Sequence, residues 1–419
     1  MDSHVFKKNN DERSKKAIVL IWACFTLFLV MQGAKNVYTA EIVAIQDFFG
    51  KTKAEASLAM TYYFIVYGVF QALLAPLFGR INLKIFLVTT TALSSILTIA
   101  IAFMPSMEML YVLCAVNGAL QAGVYGGLMA TITKYVPAHL LPFANRVMNA
   151  SIALYGLIAY GVPVYFVSIG RWEIPFIILG VLFLASVGFF FWSAHRMRNF
   201  PTEDGVKNGK TEASVSSEKP FIPLKTVKSK VIYFAVMLVI VFFGNTMFYL
   251  IMQWVPSLLI ENFAMPAEFS ILITLFVPIV AFLLSLFAIS LCEKFYNVFK
   301  VSAVLAFVSL LLTLPMIFFY KTNIVLTLVC VVLAIAFGSG SRVCYGSVLA
   351  FKMRNEMNSG TYLSATNSVA ALTAGIMPPI AGNIIDGSGY QNLFIVLSLT
   401  ILLACVLTLL YGFTVKKRN

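Results

Sequence analysis

A chain of 419 residues that is 60% hydrophobic, 14% aromatic and only 11% charged has less than half the charge of an average soluble protein, which is about 25% charged. It cannot clothe a water-facing surface in polar groups, which excludes soluble enzymes, secreted domains and disordered chains. The net charge of +13 suits either nucleic-acid binding or a membrane protein whose basic residues crowd one set of loops, so the placement of Lys and Arg decides.

The first 16 residues are polar and basic (Lys7, Lys8, Arg13, Lys15, Lys16) and resemble the start of a signal peptide. The apolar stretch that follows is too long for one and lacks a small-residue cleavage site, so the first span is expected to be retained. Twelve stretches of about 20 residues or more can each cross ~30 Å of hydrocarbon as helix. They fall at about 17–45, 57–78, 85–104, 108–133, 143–168, 174–194, 231–259, 269–291, 299–319, 324–351, 359–384 and 392–414. Turn and charge signals such as Gly50-Lys51, Gly79-Arg80, Gly170-Arg171 and Asp386-Gly387 separate them. Continuous spans without period-2 alternation exclude a β-barrel and predict an all-α integral membrane protein.

With twelve spans both termini share a side. The other side carries only Lys51, Lys53, Arg171 and Lys321; apart from Lys35 and Arg342, which lie within spans, every remaining Lys and Arg falls on the terminal side. The positive-inside rule then places both termini in the cytoplasm of a multi-pass plasma-membrane (inner-membrane) protein and removes the case for nucleic acid. The one long polar stretch, 195–230, is too poor in apolar residues to bury a core and is expected to be a cytoplasmic linker. It divides the chain into a cytoplasmic N-terminus (1–16), a six-helix bundle (17–194), the linker (195–230), a second bundle (231–414) and a cytoplasmic tail (415–419). A shift of 220 residues lays Gly118 on Gly338, Tyr125 on Tyr345, Gly126 on Gly346 and Lys134 on Arg354. Two six-helix repeats around a central cavity imply alternating access to a site near the midplane.

The six cysteines show no ligand spacing and lie in or at the edge of apolar stretches, while His4, His139 and His195 fall in polar connections. Neither a metal site nor any other cofactor is expected. No span holds a nucleophile–base pair, so the chain does not read as an enzyme.

Across all twelve spans the sequence resembles the major facilitator superfamily. Its loop motif after the second span, G-x-x-x-D-R, is present in degraded form at Ala75-Pro76-Leu77-Phe78-Gly79-Arg80, followed by Asn82 and Lys84. Gly79 replaces the acid. The equivalent after the eighth span, Ile289-Ser290-Leu291-Cys292-Glu293-Lys294, keeps its acid–base pair. This resemblance implies a gating role for Arg80, Lys84, Glu293 and Lys294. Four further segments are similar to the organophosphate:phosphate antiporter family: Ala34-Lys35-Asn36, Gly118-Ala119-Leu120-Gln121 with Tyr125 and Thr131, Trp254-Val255-Pro256, and Gly360-Thr361. Ala34 stands where glycerol-phosphate-type members carry a first-span Arg. Their seventh-span Arg falls near Phe248 and their fifth-span His near Tyr155. Both phosphate-gripping arginines are absent, so the resemblance does not bring phosphate-ester transport with it.

Only two cations lie deep in spans, Lys35 in the first and Arg342 in the tenth, and no acid lies in a span interior. Glu41 comes nearest, about 120° around the helix from Lys35. Charges at such depth face a water path or a partner. Each sits ~14–15 Å from the end to which it could snorkel, farther than its side chain reaches. The missing counter-ion is then an anionic substrate.

The superfamily resemblance implies that spans one, four, seven and ten line the central cavity. That adds Asn36, Tyr38, Gln121, Tyr125, Asn245, Tyr249 and Tyr345 as candidate binding residues, beside Gln32, Asn117, Gln253, Ser339 and Ser341. Trp172 and Trp254 are expected as interface anchors. The expected function is secondary transport of a small organic anion, carboxylate or phosphorylated, by a monomer in the lipid bilayer that exchanges it for a counter-anion. A transporter-like ligand sensor and a proton-coupled symporter or exporter, with proton symport through Glu41, are the alternatives.

Overall fold

A computed structural model of the chain describes residues 2–74, 81–197, 227–295, 297–349 and 359–416. Arg80, most of the 195–230 linker and the side chain of Glu293 lie outside what is described.

The described chain is helical and makes twelve crossings. In the amino-terminal half, α1 is Asp2–Phe49, α2 Lys53–Leu74 and α3 Leu83–Ile101. Next, α4 runs as Met107–Gln121 and Val124–Tyr135, α5 is Leu141–Ser168 and α6 Ile174–Arg196. In the carboxy-terminal half, α7 is Val227–Ile251, continued through Met252–Trp254 and Val255–Phe263. It is followed by α8 (Ala267–Phe295), α9 (Val298–Thr313) and α10 (Ile324–Val343, with a π-helical end at Cys344–Val348). Two crossings, α11 and α12, share the run Ser359–Lys416 and part at Gly389, whose φ of 79° only glycine adopts without strain. The turn expected at Asp386-Gly387 therefore lies slightly later.

Local chemistry sets the helix starts. Asn82, Ser106, Asn297 and Asn323 each accept a hydrogen bond from a backbone N–H of the turn they open, which satisfies donors that a helix start leaves free. The helices are arranged for an apolar solvent. In α3 the polar Thr91, Ser94, Ser95 and Thr98 are buried while Ile85, Leu93 and Ile96 face outward. In lipid the polar side chains gain by turning inward to bond neighbouring helices, and the apolar ones cover the outside.

Both tryptophans expected at the interface are instead interior. Trp254 is 0% exposed and its indole donates to the Pro378 carbonyl of α11. Trp172 packs against Phe48, Phe49 and Phe176. Hydropathy does not separate a ring at a membrane boundary from one plugging a gap between helices.

The repeat is visible in where helices break. The 220-residue shift lays the interruption of α4 at Ala122-Gly123 on Arg342-Val343, directly before the π-helical end of α10. The halves meet along α2/α11 and α5/α8. A methyl group at Gly382 would lie 2.7 Å from the Ala54 nitrogen, and one at Gly375 would lie 3.2 Å from the Thr61 carbonyl. These glycines let two backbones approach where any side chain would hold them apart.

Candidate functional site

Lys35 projects from α1 toward α2, with its ammonium 5.4 Å from the centre of the Phe64 ring and 5.9 Å from that of Tyr63. Arg342 projects from α10 toward α7. Its guanidinium lies 4.6 Å from the Phe248 ring centre, and one nitrogen donates to Asn245 Oδ1 at 3.3 Å. Both residues are half-buried, and among the described residues neither forms an ion pair with a carboxylate.

A chain of rings connects the two cations across the halves. Phe64 of α2 lies 6.4 Å from Tyr249 of α7, which lies 5.2 Å edge-on from Phe248. Tyr155 of α5 is within electrostatic reach of both Tyr249 and Arg342. Tyr67 stacks on Tyr63 at 5.9 Å, and Tyr125 of α4 lies against Phe28 of α1 at 4.9 Å.

Most of the other candidate polar residues bond inside the bundle, whereas Gln253 Nε2 of α7 and Ser339 Oγ of α10 are buried with no partner among the described residues. Gln121 accepts from the Tyr63 hydroxyl and donates to Ser94 and Asn117. Asn117 also bonds Ser94 and Thr98, so one network joins α2, α3 and α4. Tyr38 donates to the Ala56 carbonyl, which ties α1 to α2. The amide nitrogens of Asn36 and Asn245 donate to Gln32 and Val241, one turn back. Ser341 pairs with Ser302 of α9, and Tyr345 is buried with its ring against Gly244. Lys35, Arg342, Asn245 and Tyr249 therefore stand along one aromatic seam. Tyr38, Gln121 and Tyr345 hold helices together beside it. Of the loop residues, Lys84 lies 3.3 Å from His195 Nδ1 and over the Phe191 ring, and Lys294 lies over Phe295.

Three features were not anticipated. The first is the contribution of α2 and α5 to the seam. The second is Glu41, which is fully buried because α1 continues to Phe49, with both carboxylate oxygens unbonded among the described residues. The third is an ion-pair cluster at the face opposite the termini. There Lys53 of α2 binds Glu261 of α7 at 3.0 Å and Asp386, just before the α11–α12 turn, at 3.1 Å. The Lys53 backbone N–H also donates to Asp386 at 3.0 Å.

The Major Facilitator Superfamily profile matches residues 23–372. Among solved structures the chain is similar to a bacterial homolog of the human lysosomal transporter Spinster, inward-facing and unoccupied. The two are 14% identical with a TM-score of 0.78, over 96% of this chain and 98% of that one. The occupied form of the same homolog gives 14% and 0.76 over 95% and 97%. A D-xylose–proton symporter gives 11% and 0.71 over 93% and 97%. No curated protein matches the sequence.

Proposed function

The chain belongs to the major facilitator superfamily, and from that premise we propose that this secondary transporter moves a small organic anion, carboxylate or phosphorylated, by anion exchange. The observation that carries the proposal is the pair Lys35 and Arg342, one from each half, with no carboxylate beside either among the described residues. An anion between them supplies the missing charge. The guanidinium adds a planar fork suited to carboxylate or phosphate. The likeness of Ala34-Lys35-Asn36 and Trp254-Val255-Pro256 to organophosphate:phosphate antiporters supports exchange as the mode. The test is uptake into proteoliposomes with a panel of anions, with and without internal phosphate and a pH gradient. Uptake of neutral or cationic compounds alone would overturn the reading.

Electrostatics supplies the reason for exchange. Two uncompensated cations repel, and closing the halves around an empty site strips away the water that screens them. An anion removes that penalty at either face, so the loaded carrier cycles and the empty one stalls. Counterflow is expected to outpace net uptake by an order of magnitude or more. Net uptake that equals exchange and follows an imposed proton gradient would make the protein a proton symporter instead. Glu41 is the observation that favours this second reading, because an isolated buried carboxylate is costly as an anion and a proton relieves it.

The orientation we propose has both termini in the cytoplasm of the plasma membrane, following the bias of Lys and Arg. All six native cysteines are buried. Thiols introduced by Ser214→Cys and Arg418→Cys should therefore label with an impermeant reagent only after the cells are permeabilised. Labelling of intact cells at either position would refute the orientation.

A further inference from the structure

The seam between the two cations offers ring faces and charge, and little else. Most of its neutral amides are committed elsewhere: Gln121 to Tyr63, Ser94 and Asn117; Asn36 and Asn245 to carbonyls of their own helices. Gln253 Nε2 and Ser339 Oγ are the candidate neutral groups left without a partner among the described residues. Asn245 also gives its oxygen to Arg342. A polyhydroxylated substrate such as a sugar phosphate would enter such a site with its hydroxyls stripped of water. Beyond Gln253 and Ser339 it would find few neutral partners, and each hydroxyl left unpaired weakens binding.

The unsatisfied capacity is of a different kind. Lys35 lies over Phe64, which is next to Tyr249, which is next to Phe248, which lies under Arg342. Aromatic rings prefer other rings, edge-on or offset-stacked, over saturated groups of equal area.

Resting on the anion-transport reading above, we propose that the substrate is an arylcarboxylate, its carboxylate held by Lys35 or Arg342 and its ring packed on Phe64, Tyr249 and Phe248. Specificity then comes from the rings, with one contributed by α2 of the amino-terminal half and two by α7 of the other. An aromatic body therefore touches both halves at once and favours their closure around it.

The test uses full-length protein in nanodiscs and isothermal titration with matched ligands. Benzoate and terephthalate are compared with cyclohexanecarboxylate and cyclohexane-1,4-dicarboxylate, which keep the charge and size but lose the π face, and with glycerol 3-phosphate. The aryl ligands should bind about 5-fold or more tighter than their saturated counterparts, as expected from two or three ring contacts. Glycerol 3-phosphate should bind weakest. Phe64→Leu and Phe248→Leu should erase the aryl preference, so that each variant binds the aryl and cyclohexane acids about equally. An aryl preference that survives both substitutions would overturn the assignment. Equal binding of aryl and saturated acids by the wild-type protein would overturn it as well, and needs no variant to fold. So would tightest binding of glycerol 3-phosphate. In these last two cases affinity that still depends on Lys35 and Arg342 leaves the anion reading standing.

Discussion

Lys35→Ala and Arg342→Ala are each expected to abolish transport while leaving folded protein in the membrane. The first half of that expectation follows from charge. A charge-assisted hydrogen bond contributes about 1.5–3 kcal/mol, so losing one partner weakens anion binding about 10- to 100-fold and removes the group that lets the site close. The second half follows from the absence, among the described residues, of any carboxylate beside either cation. Removing one member of a buried ion pair destabilises a fold because the other is left uncompensated. No such orphan arises here. Asn245 loses the Arg342 guanidinium but keeps its bond to Val241. Arg342→Lys should restore only part of the activity, because an ammonium keeps the charge and loses both the fork and the flat face that rests on Phe248. The measurement is counterflow in proteoliposomes beside the thermal unfolding of each variant. Transport at the wild-type rate by both alanine variants would remove these residues from the site.

Lys35 and Arg342 were legible in the sequence because a charge deep in an apolar span has no bland explanation. The crossings were legible for a related reason: twenty apolar residues in a row have few other uses. The ring seam was not. Tyr62 and Tyr63 are neighbours with the same hydropathy, yet one is 43% exposed on the lipid side and the other 2% exposed beneath Lys35. A rotation of 100° decides between them, and only packing against α1 and α4 fixes that rotation. Gln121 was legible as important but not in its role, since an amide bonding three helices together looks in sequence like an amide awaiting a ligand. The interruptions in α4 and α10 were equally hidden. Gly123 marks the first, but α10 turns π-helical over Cys344–Val348 without a proline. The contact between Lys53 and Asp386 spans 333 positions. No local pattern relates two charges on different turns of the same face.

That contact supports the other large expected effect: Lys53→Ala should open the face opposite the termini. Asp386 accepts from the Lys53 backbone N–H at the first residue of α2 as well as from the ammonium. One half thus supplies a carboxylate to the positive end of a helix in the other half. Glu261 adds a second pair to the same ammonium. Beneath this cluster the backbones meet at Gly382 and Gly375, and Thr61 donates to the Gly375 carbonyl. A cycle of alternating access must break all of these contacts together, so they set the stability of the closed face. Asp386 and Glu261 keep 30% and 42% of their side-chain surface in solvent, which holds the contribution to about 1–1.5 kcal/mol, or about tenfold in the open-to-closed ratio. Burial pulls the Lys53 ammonium down, but its hydrogen bonds to Glu261 and Asp386 outweigh that and hold it above its ordinary value. The raised value means that the ammonium's share of the stabilisation is fully present below pH 10.5 and is lost only as the pH climbs past it. The ammonium is therefore charged at physiological pH, so substrate or mutation, and not its deprotonation, releases the cluster. The readout is the reaction of Thr61→Cys, on α2 about two turns below the cluster and against Gly375 of α11, with an impermeant thiol reagent applied from the Lys53 side. Lys53→Ala should raise that rate about tenfold. Asp386→Asn should raise it less, because the amide oxygen still accepts from the α2 backbone. An unchanged rate in both variants would show that glycine packing alone holds the face shut.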